Sequence, residues 1–156
     1  MNDDRKPAVE GIFNYADAFP YRTCDITLPS DCSGYVYMLV SIQDFDREYV
    51  GQTECLARRF DEHNRGRGAK GTMDPYYHPY GVVAYIGGMS HMNKAERESI
   101  EQNWKNLNKR EISNGGGGIL HRIEQGKRIV DQYNRSCEHK EDRIFFVELL
   151  KKTSKT

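Results

Sequence analysis

The stretch "GYVYMLVSIQDFDREYVGQT", residues 34–53, constrains the fold more than any other part of this chain. Residues 34–40 alternate Tyr35, Tyr37 and Leu39 with Val36, Met38 and Val40. Aromatic and β-branched residues at a period of two predict a strand with two distinct faces. "SIQDFDR" reads as a polar turn, and "EYVGQ" as the returning strand. Gly51 either ends that strand or lets another group approach its backbone closely. Parity puts Tyr35 and Tyr37 on one face, and a hairpin can bring Tyr49 beside them. Tyrosine is an ordinary strand residue, so the hairpin alone leaves these phenols two roles, packing or chemistry.

The flanking sequence surrounds this hairpin with helices. "TECLARRFDEHNRG" predicts a helix with Thr53 as N-cap and Glu54 in its first turn. Leu56, Phe60 and His63 recur at helical spacing, and Asn64 and Gly66 are stop signals. Arg59 and His63, four residues apart, share one face. Residues 65–79, rich in Gly, Pro and basic residues, read as a loop, and "YGVVAYIGG" as a third strand. Asn93 and Glu96 form a capping-box pattern that opens a long helix, "KAERESIEQNWKNLNKR". Ile100, Trp104 and Leu107 make its apolar stripe, which Glu101 borders. "SNGGGG" reads as a linker and "ILHRIEQGKRIVDQYN" as a further helix. "RIFFVELLKK" suits a strand or a helix. This order predicts an α+β domain: a small, mainly antiparallel three-stranded sheet flanked by helices. Residues 34–108 form its core, between an N-terminal extension (1–33) and a C-terminal helical extension (109–156).

The 156 residues suit one such domain, and 37% hydrophobic content describes a polar chain. "YVYMLV" and "IFFVELL" are too short to span a bilayer, and the N-terminus lacks a signal-peptide pattern, so an intracellular protein with no membrane partner is expected. The four cysteines (Cys24, Cys32, Cys55 and Cys137) contain no C-x-x-C pair, so a structural zinc site is not expected. Cys24 and Cys32 could meet, but reduced thiols are the expectation for such a compartment. Net charge is zero, yet the charge is unevenly spread. Residues 1–32 hold six acids against three bases, whereas residues 55–71 hold five bases (Arg58, Arg59, Arg65, Arg67 and Lys70) against two acids. A local basic patch matters more to a phosphate backbone than the whole-chain sum, although a solvated loop would look the same.

Tyr37, Tyr49, Arg59, His63 and Glu101 are the candidate site residues. Each alone has an ordinary explanation, as strand packing, a helix-end histidine or a solvated charge. Together they suit phosphodiester cleavage, which needs an activated water, a metal to offset developing charge and a cation on the phosphate. One carboxylate suffices for Mg²⁺, which keeps most of its waters. Arginine's planar fork matches a phosphate. "NGGGG" is not a P-loop, lacking both the following Gly-Lys-Ser/Thr and the preceding strand. "EHN" lacks the second ligand set of an HNH site.

The ordered set resembles the GIY-YIG nuclease superfamily. The name motif stands as Tyr35-Val36-Tyr37 and Tyr49-Val50-Gly51, with Tyr35 replacing the first glycine. Arg59 follows Gly51 by eight residues and His63 comes four later. Glu101 lies in "KAERESIEQNWKNLN", three residues before Trp104. The resemblance covers residues 34–108 and looks closest to the compact branch of structure-specific DNA nucleases and their small bacterial relatives. It implies Tyr37 as general base, Tyr49 positioning water or phosphate, and Arg59 stabilising the phosphate. It further implies His63 tuning the base and Glu101 as sole protein ligand of Mg²⁺ or Mn²⁺. Asn114, thirteen residues beyond Glu101, matches a supporting asparagine of some members. Arg58, Arg65, Arg67 and Lys70 would contact DNA. The activity implied is a divalent-metal-dependent DNA endonuclease, acting as a restriction enzyme or as a repair enzyme that reads DNA shape. A catalytically silent DNA-binding module is the rival. Monomer and homodimer both remain open.

Overall fold

The structure, a computed structural model, describes residues 21–23, 28–41, 43–44, 46–106 and 116–152. In chain order its elements are β1 (Tyr21–Thr23), β2 (Tyr35–Ser41), β3 (Glu48–Thr53), α1 (Leu56–Asn64), β4 (Tyr80–Gly87), α2 (Lys94–Lys105), α3 (Gly116–Arg135), β5 (Phe145–Glu148) and β6 (Leu150–Lys152). The main sheet is antiparallel in the order β3-β2-β4-β5, and β1 pairs separately with β6.

The alternation in residues 34–40 becomes two packed faces. Val36, Met38 and Val40 turn toward α2 and α3, into a core with Ile100, Trp104, Ile119 and Ile123. Tyr35, Tyr37 and Leu39 turn the other way, onto Leu56 and Phe60 of α1 and Tyr80 and Val82 of β4. β2 is therefore buried along its whole length, with neighbouring strands on both edges and helices on both faces. Full burial of each large apolar side chain contributes about 1.5–3 kcal/mol, so both faces hold the strand in register. A bulge in β4 opposite Met38 and Leu39 shifts the pairing from Ala84 to Val82. The extra residue, Val83, joins Ala84 on the α2–α3 side, as an inserted residue locally breaks the two-residue period.

α2 begins at the predicted capping box: Asn93 Oδ1 accepts from Glu96 N–H and Glu96 Oε1 accepts from Asn93 N–H, at 2.8 and 2.9 Å. Its buried stripe runs through Arg97, Ile100 and Trp104; the predicted third member, Leu107, lies outside the described residues. No helix among the described residues is long and apolar enough to cross a membrane.

Several expectations are corrected. The sheet has four strands rather than three, because "RIFFVELLKK" supplies β5 on the open edge of β4 and then β6. Leu149 joins the two, its N–H donating to Val83 O. Phe146 of β5 packs edge-on against Trp104, a contact that a local sequence period does not contain. Thr53 is not the cap of α1. Its hydroxyl instead accepts from Cys55 N–H, and the helix starts at Leu56 after an N-cap with no side-chain hydrogen bond. The glycine run is not wholly a linker, since α3 begins within it at Gly116. The expectation of reduced thiols fails at Cys32 and Cys55, which form a disulfide. Gly34 N–H donates to Glu54 O at 3.0 Å, drawing the entry to β2 against the start of α1 and bringing the two cysteines together. Cys24 lies outside the described residues, and Cys137 is a free thiol.

Candidate active site

Four of the five expected site residues converge on the face of the β2–β3 hairpin covered by α1. Tyr37 is completely buried, and its hydroxyl lies 2.7 Å from His63 Nε2. Tyr49, half-buried, stacks its ring obliquely 4.9 Å from the His63 ring and 6.2 Å from that of Tyr37. Arg59 interacts with the Tyr37 hydroxyl and donates to Glu62 Oε1 at 3.0 Å.

Backbone proximity makes this convergence possible. Gly51 is the cross-strand partner of Tyr37. A Cβ on Gly51 would lie 2.7 Å from both Tyr37 Oη and Tyr49 Cε2. The two phenol rings thus meet over a position where only glycine leaves room, which selects close approach over strand termination as the role of Gly51.

The loop after α1 completes the cage around His63. Thr72 Oγ1 donates to Ala69 O at 3.1 Å and lies 2.5 Å from His63 Nδ1. Because the threonine proton is engaged by the carbonyl, Thr72 accepts from His63 Nδ1–H. His63 is then the Nδ1–H tautomer, its Nε2 carries a lone pair, and Tyr37 donates its proton to it. Gly68 packs directly on the imidazole at Nδ1. His78 Nε2–H donates to Thr72 O at 2.6 Å, fixing the loop from its far side.

Electrostatics agree with that assignment. Burial, helped by the charges of Arg59 and His78, pulls His63 down to about 4, so the ring is neutral near pH 7. Burial raises the Tyr37 phenol far above its ordinary value, Tyr49 adds to this, and Arg59 opposes it. Tyr49 is also raised, by burial first, against the pull of the Lys105 ammonium. Both phenols therefore hold their protons in the resting protein.

Glu101 approaches from α2. Its charge is felt at Tyr37 and Tyr49. Its Oε2 pairs with Lys105 Nζ at 2.7 Å, with the Glu101 side chain 12% exposed, and the same ammonium lies 5.9 Å from the centre of the Tyr49 ring. Among the described residues no cluster of three or more His, Cys, Asp or Glu could cage a metal. A lone carboxylate, here paired with an ammonium, is too few donors for Zn²⁺ and fits only a hard cation that keeps most of its waters, such as Mg²⁺ or Mn²⁺.

This hairpin–helix–strand–helix arrangement can be matched to a known domain: residues 33–114 match the GIY-YIG catalytic domain family, more than half of the chain. The chain belongs to the GIY-YIG nuclease superfamily. Among curated proteins, none matches it significantly. The fold is that of a GIY-YIG domain, the catalytic domain of a family of nucleases.

The expected DNA-contacting residues are dispersed around the GIY-YIG site. Arg65, Arg67 and Lys70 are exposed on the loop that carries Gly68 and Thr72, and Arg65 pairs with Asp61 at 2.8 Å. Arg58 lines a separate cleft beside Arg59. Asn114 lies outside the described residues. Sequence reasoning missed Thr72, Lys105 and Arg122. Arg122 of α3 donates to Glu48 Oε1 at 2.6 Å and to Trp104 O at 2.7 Å, and Trp104 Nε1–H donates to Arg122 O at 2.8 Å. It ties the end of α2, which carries Glu101, to the strand carrying Tyr49. Lys105 could have been found from its i, i+4 relation to Glu101; Thr72 and Arg122 carry no local signal.

Proposed function

We propose that this chain is a divalent-metal-dependent DNA endonuclease that hydrolyses a phosphodiester by direct attack of water. The observation that carries the reading is the Tyr37–His63–Thr72 hydrogen-bond chain, with the charges of Arg59 and Glu101 acting on the Tyr37 phenol. Glu101 would hold the cation, which when bound supplies positive charge against the charge developing on the phosphate.

The chain's own residues handle the proton. A buried phenol is a poor base while it keeps its hydrogen, so Tyr37 works by relay. As water's oxygen bonds to phosphorus, its proton passes to Tyr37 Oη and the phenolic proton moves to His63 Nε2. The imidazolium that forms keeps Nδ1–H on Thr72. The bond from phosphorus to the leaving ester oxygen breaks, and that oxygen takes the electron pair and a proton from solvent. His63 afterwards returns its proton to Tyr37, which releases one to solvent. Arg59, already beside Tyr37, holds the phosphate through its planar fork. Tyr37 is fully covered, so the relay requires this cover to open and admit the attacking water.

The test is one digestion panel of plasmid, flap and four-way-junction DNA with Mg²⁺ or Mn²⁺. Glu101→Ala is expected to bind DNA and fail to cut; undiminished cutting would falsify the metal assignment. Tyr37→Phe keeps the ring and is expected to lose about 10²–10⁴-fold in rate, the usual contribution of a general base; a wild-type rate removes Tyr37 from the relay. Discrete plasmid fragments would assign a restriction role, and nicking confined to junctions or flaps a repair role. Binding without cleavage of any form would instead make the chain a silent DNA-binding module.

A further inference from the structure

A second charged cleft adjoins the site, and the relay does not use most of it. It encloses about 300 Å³ between the N-terminal ends of α1 and α2, and its lining includes Arg58, Arg59, Lys94 and Arg97 against Glu54 and Glu62. Glu62 is already engaged by Arg59 at 3.0 Å. Glu54 reaches Arg97 only at 4.0 Å, and its side chain is 70% exposed.

Arg97 makes this cleft unusual. It is a charged residue in the buried stripe of α2, 6% exposed. Its contacts there are chiefly neutral: Nε donates to Gln52 Oε1 at 3.0 Å and one guanidinium nitrogen donates to Met92 O at 3.4 Å. A cation withdrawn from water without a close anionic partner leaves much of its desolvation cost uncompensated. Arg58 and Lys94 are exposed at the same mouth. The excess charge and the buried guanidinium both favour an anion.

We infer that this cleft is a phosphate subsite that takes a DNA backbone phosphate next to the one being cleaved, with Lys94, Arg58 and Arg97 as its cations. The choice of ligand rests on the endonuclease reading above. Arg59 is what links the two sites, since it lines the cleft and also reaches Tyr37. Two anion sites that share one arginine suit neighbouring phosphates of one strand, whose charges follow one another along the backbone. The cleft then fixes the direction in which the strand crosses the site, while Arg97, held by Gln52 of β3, keeps that track in register with the hairpin.

The experiment measures DNA binding as a function of salt on a Glu101→Ala background, with the full chain and a duplex or junction that the wild-type protein cuts. Each phosphate contact contributes about 0.9 to the slope of log affinity against log salt. Lys94→Gln is expected to weaken binding several-fold and lower the slope by about 0.9. Lys140→Gln removes the same charge on an exposed turn outside the cleft and is expected to leave the slope unchanged. Arg97→Lys, which keeps the charge in place, is expected to weaken binding without lowering the slope, because only the planar fork is lost. An unchanged slope in Lys94→Gln, or an equal fall in Lys140→Gln, overturns the subsite while the nuclease reading stands. Absence of wild-type cleavage on every DNA form overturns the reading on which the subsite rests.

Discussion

Replacing His63 by glutamine and following stability with pH isolates the relay's central proton. The folded imidazole titrates at about 4 and an unfolded one near 6.5. Between those values the unfolded chain binds a proton that the folded chain refuses, so wild-type stability falls as pH falls. The contribution is fully present above pH 6.5, declines through the window, and is gone below about 4. The gap of about 2.5 units, at 1.36 kcal/mol each, makes the loss about 3 kcal/mol. His63 is completely buried, so water does not screen the interactions that lower it. Urea unfolding of wild type and His63→Gln at pH 4 to 8 supplies the two curves. Other groups, such as Asp31, whose carboxyl is lowered by hydrogen bonds from Ser33 and Tyr35, titrate in both chains and cancel in the difference. The difference should be flat above pH 7 and shrink by about 3 kcal/mol toward pH 4. A pH-independent difference, or an imidazole that titrates at 6.5 by NMR in the folded protein, refutes the neutral Nδ1–H histidine and the relay built on it.

Two further substitutions probe how the site is assembled. Gly51→Ala places a methyl group 2.7 Å from Tyr37 Oη and Tyr49 Cε2. It should cost about 1–3 kcal/mol as an overpacked site and abolish cleavage, and a stable, fully active variant would show that the phenols need not meet there. Arg122→Met strands Glu48, whose carboxyl burial already raises, and should cost about 3–5 kcal/mol in denaturant unfolding. Adding Glu48→Leu should recover part of that loss, and strict additivity of the two changes would argue against a coupled pair.

How much of this was legible depended on the separation of the partners. The hairpin, its two faces and the capping box of α2 follow from periods and caps within a few residues, and the structure shows them. Residues 145–152 were ambiguous because their role is set by the open edge of β4 and by Trp104, more than forty positions earlier. Thr53 looked like a cap because caps are recognised by residue type, yet its hydroxyl serves the turn at Cys55. The Cys32–Cys55 bond depends on where two loops meet, which spacing does not encode. At the site, Tyr37, Tyr49, Arg59, His63 and Glu101 were marked by residue type and ordered spacing. Thr72 was not, since a threonine in a basic loop becomes informative only once its neighbour is known to be His63.

The opening ambiguity, packing or chemistry for the phenols, dissolves when register is considered. In an antiparallel pair, Tyr37 faces Gly51, and a ring opposite a glycine can lie across the bare backbone. That posture packs the ring, and it also carries Oη past the strand to His63 on α1. The same missing side chain lets Tyr49 close from the neighbouring position. Packing and proton transfer are thus two consequences of one placement. Tyr35, two residues earlier on the same face, shows the contrast: its register partner is Thr53, and its hydroxyl donates to Asp31 at 2.7 Å and accepts from Ser33. There burial, together with the nearby Asp31 carboxylate, pushes the phenol up to about 12, with no imidazole to receive a proton. Of the two phenols on this face of β2, the one opposite glycine meets an imidazole and the other a carboxylate.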